Sequence, residues 1–446
     1  MKQTSKNNIF GTDGIRKKVG QSPLTYSEII KLGKAIAIWS MQTHGKTPKI
    51  LLGHDTRESC FLIKAALKTG LLLWPVEIYD AQVLPTPALS AIMQQDKQFD
   101  VAIVITASHN PYEDNGIKII DTKKGKLSLE DEQIIQDHFF SKKAETISYA
   151  HIGKEYLFTE GIHTYIDLVT NKFEKNFLHG LKIVLDCANG AASYVAPAIF
   201  SSLGADVVAI AKHPDGKNIN NNCGSQSPQK IQKAVLKEHA DIGFAFDGDG
   251  DRITAVTKDG QIKDGDDILS LLSQHPIYKQ QPQIVGTILS NYGLQDYLKR
   301  QNQTLIRTNV GDKFVVQAMK EQNLLLGGEQ SGHIILYDYL PVSDGIFTAL
   351  RILETIQETQ NIECTTFTKY PQVMTNIPVI KKKNLNASPI ANIICAYKKS
   401  LNKGNIIVRY SGTENLLRVM VEAENNTIAQ HTSIKLSNDL KKELNL

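Results

Sequence analysis

The 446-residue chain has few cysteines, only two tryptophans and no long apolar run. Its five cysteines, Cys60, Cys187, Cys223, Cys364 and Cys395, are odd in number and nowhere spaced C-x-x-C. That argues against a disulfide framework and against a structural zinc site. Apolar stretches such as Leu71-Leu72-Leu73-Trp74 stop within a handful of residues, far short of the ~20 that span a bilayer. The opening residues, Met1 to Lys6, are polar and hold no signal-peptide core, so a cytoplasmic protein is expected. The formal net charge is only +4, and no basic run is interleaved with aromatics. Neither nucleic acid nor a membrane is expected as a partner. A G-x-S-x-G elbow is also missing, which speaks against a serine hydrolase of the α/β type.

What is present is an ordinary globular composition, 41% hydrophobic and 22% charged, in a chain too long for one core. Three segments follow one order: strand, helix, strand, helix, strand, polar loop. The first uses Lys49–Gly53, a helix over 58–70, Val76–Tyr79 and Val101–Ile105. The second begins at Leu181–Asp186, continues through Val207–Ile210 and reaches Ala240–Phe246. The third uses Gln283–Ile288, a helix over 293–300, Thr304–Arg307 and Asn323–Leu326. Apolar strands alternating with helices imply mostly parallel sheets covered on both faces. A triplicated α/β unit is the simplest account. Beyond residue 361 the character changes. Pro371, Pro378 and Pro389 punctuate the segment, Lys381-Lys382-Lys383 reads as a solvated run, and two strands precede a terminal helix. A small α+β domain is expected there. The division expected is 1–150, 151–252, 253–366 and 367–446.

The polar loops carry the chemistry. Thr106-Ala107-Ser108-His109-Asn110-Pro111 follows a strand whose carboxyl end is where open α/β sheets bind ligands. Ser108 is a candidate phosphate carrier; the plain alternative is a turn serine. His109 is adjacent, and on an extended loop neighbours point apart, so a Ser108–His109 dyad is not expected. Asp247, Asp249 and Asp251 alternate with glycines. Three carboxylates this close repel strongly without a cation, and hard oxygen donors without His or Cys suit Mg²⁺. An EF-hand is excluded, because Arg252 and Lys258 stand where it needs Gly and Glu. Lys118 supplies charge, or transfers a proton if its pKa is lowered; an exposed strand lysine fits the spacing as well. Glu329, Ser331 and His333 alternate between glycines and suit sugar hydroxyls; a Gly-rich turn with a core histidine is the alternative. Arg409, Ser411, Gly412, Thr413 and Arg418 would make a phosphate nest, or a capped turn with exposed arginines.

Taken together, Phe10–Arg16, Thr106–Pro111 with Asn115–Lys118, Phe246–Arg252, Gly327–His333 and Arg409–Glu414 resemble the loops of the α-D-phosphohexomutase superfamily, in the family's order. Phe10–Arg16, Asp186–Gly190 and Val310-Gly311-Asp312 point to its glucosamine-phosphate branch rather than to the phosphomannomutase/phosphoglucomutase branch. The resemblance implies four domains around a central cleft. It makes Ser108 a phosphoserine and Asp247, Asp249 and Asp251, with Ser108, the ligands of one Mg²⁺. It gives sugar contacts to Glu329, Ser331 and His333, and the distal phosphate to the Arg409–Arg418 loop. Arg16, Lys118, His109 and Arg252 would add positive charge around the transferred phosphate. The implied reaction converts glucosamine 6-phosphate to glucosamine 1-phosphate through glucosamine 1,6-bisphosphate, which also acts as activator. A kinase that first charges Ser108 and a monomer or homodimer are further implications. The alternatives are a mutase preferring glucose or mannose phosphates, and a non-catalytic phosphosugar-binding protein. Lys17, Cys60, Lys313 and Asn415 depart from the family's usual Gly, Gly, Arg and Pro.

Overall fold

The computed structural model of the chain describes residues 8–444 apart from 12, 46, 124, 143–150, 362–363, 365, 381 and 412–414. Three sheets repeat one topology. In the first, Lys49–His54 lies between Glu77–Val83 and Val101–Ile105, parallel to both. Asp114–Asp121 then pairs antiparallel with Val101–Ile105. Ile15–Lys18 and Lys154–Leu157 extend this sheet at its two edges. In the second, Lys182–Asp186 is flanked in parallel by Asp206–Ile210 and Ile242–Phe246, and Ile253–Thr257 returns antiparallel. In the third, Gln283–Thr287 sits between Thr304–Thr308 and Leu326–Gly328, with Ile334–Leu336 returning. Numbering the strands within each unit, the spatial order is 2-1-3-4, with only the fourth antiparallel. The sheets are therefore mixed, and the internal triplication is topological.

The reason lies in the strand sequences. Val101–Ile105 and Ile242–Phe246 are buried along their whole length, as strands covered by helices on both faces must be. In each unit the chain turns from strand 3 to strand 4 through one of the three polar loops. The order reverses beside strand 3, so each loop lies at a topological switch point, where such sheets leave a crevice. The fourth sheet is wholly antiparallel, with Leu416–Ala423 between Gln372–Pro378 and Gly404–Tyr410. The helices Ile390–Ser400 and Asn426–Leu444 pack on it, their apolar residues joining Leu417, Val419 and Val421 in one core. Lys382 and Lys383 are exposed but not free in solvent. Lys382 Nζ donates to Ser411 O at 2.8 Å, and Lys383 Nζ to Glu443 O at 2.8 Å.

Candidate active site

Ser108 lies in the loop just beyond the first unit's third strand, in a left-handed conformation, φ +53°. That turn overturns the expectation that Ser108 and His109 point apart. Ser108 Oγ lies 3.2 Å from His109 Nδ1 and donates to Asp247 Oδ2 at 2.6 Å. A left-handed residue reverses the pleat, so both side chains face the second unit. Ser108 is buried, 1% exposed. Its loop is tied down at every step. Ser108 N donates to Thr106 Oγ1 at 2.9 Å, and Thr106 Oγ1 to Asp55 Oδ2 at 2.6 Å. Arg57, wholly buried, pairs with Asp55 at 2.5 Å. Its Nη2 donates to the carbonyls of Ser108 and Asn110 at 3.2 and 2.5 Å. Asn220 Nδ2 donates to the same two carbonyls from the second unit, at 2.8 and 3.1 Å.

The Asp247–Asp251 loop turns at Gly250, φ +74°. Gly248 packs so closely that a Cβ there would sit 2.6 Å from Ser108 O. The turn gathers Asp247, Asp249 and Asp251 so that one oxygen of each lies within 4.8 Å of the others. All three are buried. Lys118 Nζ reaches Asp249 Oδ2 and Asp251 Oδ2 at 2.7 and 2.8 Å, and Asp13 Oδ2 at 3.0 Å. Burial opposes its charge, but Asp13, Asp249 and Asp251 outweigh that and hold its pKa well above the usual lysine value. In this arrangement Lys118 is a fixed cation and not a proton acceptor. Asp249 Oδ1 and Asp251 Oδ1 are buried without a hydrogen-bond partner. Asp247 is pushed up to about 8 by burial and by the charges of Asp251 and Asp249. Buried carboxylate oxygens left unpaired, in an all-oxygen donor set, fit a hard divalent cation.

His109 does not supply positive charge. Burial, then Arg252 and Arg16, lower it to about 4, leaving a neutral imidazole at pH 7. Arg16 pairs with Asp13, and Arg252 N donates to Asp247 Oδ1 at 3.1 Å. The third loop also differs from its expected form. Gly332 N bonds back to Glu329 O at 3.0 Å, a tight turn rather than an extended run. Glu329 Oε1 accepts from Gly311 N at 2.9 Å. Ser331 stays half-buried on the loop. His333 is buried between Asp251, 3.7 Å away, and Asp312, 3.1 Å away. Against its own burial, these two carboxylates raise it to about 10, so it is cationic. It links the metal loop to the third unit.

Several residues here were given no role of their own from the sequence. Asp13, Lys126 and Asp312 form a chain across two units: Lys126 Nζ meets Asp13 Oδ1 at 2.5 Å and also contacts Asp312. Thr86 Oγ1 donates to Asp249 Oδ2 at 2.6 Å. Asp55 and Arg57 follow a buried strand end just as Ser108 does, and that position is the signal that could have found them. In the fourth sheet Arg409 and Arg418 stand directly opposite each other on neighbouring strands. Like charges in that relation repel unless an anion lies between them. Ser411 is buried beside them; Gly412 and Thr413 lie outside the described residues.

The comparisons agree with this geometry. Four family models match in chain order. They describe the phosphoglucomutase/phosphomannomutase alpha/beta/alpha domains I, II and III, over residues 7–146, 163–260 and 264–370, and the C-terminal domain, over 369–432. The chain is 41% identical to a phosphoglucosamine mutase of Coxiella burnetii, covering 96% of this chain and 97% of that one. It is 40% identical to that of Nautilia profundicola, covering 98% and 99%. Among solved structures it resembles a phosphoglucomutase/phosphomannomutase family protein of Burkholderia thailandensis, with a TM-score of 0.81, 23% identity and 98% and 97% coverage. Another is the Aspergillus fumigatus N-acetylphosphoglucosamine mutase, solved with GlcNAc-6P and magnesium, with a TM-score of 0.70, 16% identity and 100% and 97% coverage. No helix among the described residues is long and apolar enough to cross a membrane. With its three equivalent loops, buried aspartate cluster and near-full-length relatives, the chain belongs to the phosphoglucosamine mutase family of the α-D-phosphohexomutase superfamily.

Proposed function

We propose that the chain interconverts glucosamine 6-phosphate and glucosamine 1-phosphate, with Ser108 carrying the phosphate and glucosamine 1,6-bisphosphate as the intermediate. The single observation behind this reading is the hydrogen bond from Ser108 Oγ to Asp247. It places a nucleophilic hydroxyl against a carboxylate cluster that has spare buried oxygens. Asp247, Asp249 and Asp251 would hold Mg²⁺, which when bound offsets the charge on the phosphoryl oxygens. The formal charges around the site support this. Asp13, Asp247, Asp249, Asp251 and Asp312 face Arg16, Lys118, Lys126, Arg252 and cationic His333. With Asp247 ionised, as holding the cation would require, five negative groups balance five positive ones. A phosphoserine dianion with one divalent cation then enters without changing the balance.

Transfer breaks the bond between phosphorus and Ser108 Oγ and makes one to a sugar hydroxyl, and the proton the hydroxyl gives up is matched by the one Ser108 Oγ takes on. The reverse step takes the proton from Ser108. Without the cation that proton points to Asp247 Oδ2; with Asp247 engaged by the cation, neutral His109, 3.2 Å from Ser108 Oγ, would accept it. Lys118, Arg16 and Arg252 hold the phosphoryl group by charge, and positioning of this kind carries most of phosphoryl-transfer catalysis. Glu329 and Ser331 would orient the sugar. Arg409, Ser411 and Arg418 would grip the phosphate at its far end, so the intermediate can turn round without leaving.

The test is intact mass before and after incubation with glucosamine 1,6-bisphosphate, for wild type and Ser108→Ala, followed by kinetics on glucosamine, glucose and mannose phosphates. The wild type should gain one phosphate and the variant none. No uptake at Ser108 would defeat the mechanism; equal or faster turnover of glucose 1-phosphate would defeat the glucosamine assignment.

A further inference from the structure

Beside the phosphoserine site, and sharing Lys126 and Lys313 with the small pocket that reaches Lys118 and Asp251, the first and third units line a second concavity of about 830 Å³. Its walls carry like charges. From the third unit, the helix Asp312–Gln322 turns Lys313 and Lys320 into it at i and i+7, with Val316 and Gln317 between them. That spacing makes one face of the helix. From the first unit, Lys97 and Lys123 also line it. None of these four lysines makes an ion pair among the described residues, whereas Lys64, Lys68, Lys118, Lys126 and Lys369 all do. Of the acids nearby, Glu132 acts on Lys313 alone, which leaves Lys97, Lys123 and Lys320. Asp121 spends Oδ2 on His44 at 3.1 Å and Oδ1 on Lys123 N at 2.8 Å. Glu130 is the remaining carboxylate in the lining.

The surface between the lysines is apolar and aromatic. Lys313 Nζ lies 5.5 Å from the Phe314 ring centroid. Tyr337 is half-buried in the wall, and Leu129 is 74% exposed at the rim. Cations converging from two walls select an anion with several charged oxygens. An aromatic and aliphatic surface beside them selects a planar apolar group attached to that anion. The volume lies in the ordinary range for a small-molecule pocket. We propose that this groove binds a nucleoside diphosphate, separately from the phosphosugar site.

The experiment titrates full-length protein into mant-ADP and follows fluorescence anisotropy. A saturable rise is expected. ADP should reverse it at a concentration at least tenfold below that needed with pyrophosphate, and glucose 1,6-bisphosphate should not reverse it at all. The double variant Lys97→Glu/Lys320→Glu should bind at least tenfold more weakly while keeping wild-type mutase turnover, which shows that it folds. Ser108→Ala should bind as wild type does, so failure of the mutase mechanism and failure of this proposal are read separately. Absence of saturable binding, displacement by the bisphosphate, pyrophosphate matching ADP, or unchanged binding by the charge-reversed variant would each overturn it.

Discussion

The carbonyls of Ser108 and Asn110 have two donors in common, and this redundancy predicts a measurable coupling. Arg57 Nη2 and Asn220 Nδ2 each reach both oxygens, one from the first unit and one from the second. Arg57→Lys keeps a cation beside the buried Asp55 but loses the fork that spans two carbonyls. Asn220→Gly removes the amide without strain, because Asn220 is left-handed at φ +56° and glycine accepts that conformation. Each single variant leaves both carbonyls with one donor and should cost about 0.5–1.5 kcal/mol of local stability. In the double variant both carbonyls are orphaned beside a buried serine. An unsatisfied buried acceptor costs about 1–3 kcal/mol, so the coupling beyond the sum of singles should be at least about 1 kcal/mol. The assay is amide hydrogen exchange over residues 104–117, which reports local opening in a chain whose several domains preclude one global unfolding energy. The double variant should exchange at least about fivefold faster than the singles combine to give. It should also take up phosphate from the bisphosphate more slowly. Additivity within about 0.5 kcal/mol would refute the shared-anchor reasoning.

Further outcomes follow from other parts of the site. Gly248→Ala would drive a methyl within 2.6 Å of Ser108 O, 2.7 Å of Ile219 Cδ1 and 2.9 Å of Asn220 Nδ2. It should cost about 1–3 kcal/mol and slow phosphate uptake well before it lowers the melting temperature. In metal-stripped protein the His333 imidazole should titrate near 10 by NMR and fall toward the ordinary value in Asp312→Asn, which removes one of its two carboxylates. Its raised pKa means that its contribution to stability is complete below about 6.5 and is lost as pH climbs toward 10. Glu422 and Asp266 lie buried where the third and fourth units meet, each raised to about 7, by burial and, for Asp266, also by Asp264. The native state favours their protonated forms, so their contribution is present at acid pH and lost as pH rises through 7. Glu422→Gln keeps the acceptor for Tyr292 N and should flatten the pH dependence of the C-terminal unit's thermal transition between pH 5 and 8, by calorimetry.

Much of this was legible because each unit announces itself in the same way. A strand buried on both faces must be apolar throughout, so its end is marked by the first run of small polar residues. Val101–Ile105 stopping at Thr106 and Ile242–Phe246 stopping at Asp247 are such ends. The aspartate cluster was legible because its three members are only two residues apart and their repulsion demands an explanation. Asp55 and Lys126 were not, and Asp13 and Asp312 stood out only as members of the Phe10–Arg16 and Val310–Asp312 motifs, not by their charge. Each is one charged residue in a turn or at a strand end, and its meaning comes only from partners up to 186 residues away. His109 was misread for a different reason. The geometry of neighbouring side chains depends on the backbone torsions that join them, and serine gives no warning that it will be left-handed.

That left-handed turn ties the chemistry to the domain architecture. With Ser108 extended, its hydroxyl and His109 would face opposite sides and only one could meet the aspartates. Turned, Ser108 Oγ touches both Asp247 and His109, and its carbonyl swings toward Asn220 and the face of Gly248. The contacts that hold Ser108 in this posture come from Asp55, Thr106, Arg57 and His109 of the first unit and from Asn220, Asp247 and Gly248 of the second. Lys118 and His333 carry the same arrangement on to Asp13 and Asp312. The site is thus a property of the seam between units rather than of any one of them. A change that shifts the first unit against the second by even an ångström alters the Ser108–Asp247 contact and the loop bonds of Asn220 and Gly248 together. Duplicated strand ends explain how three such loops could arise; their convergence on one charge-balanced point explains why none of them would work alone.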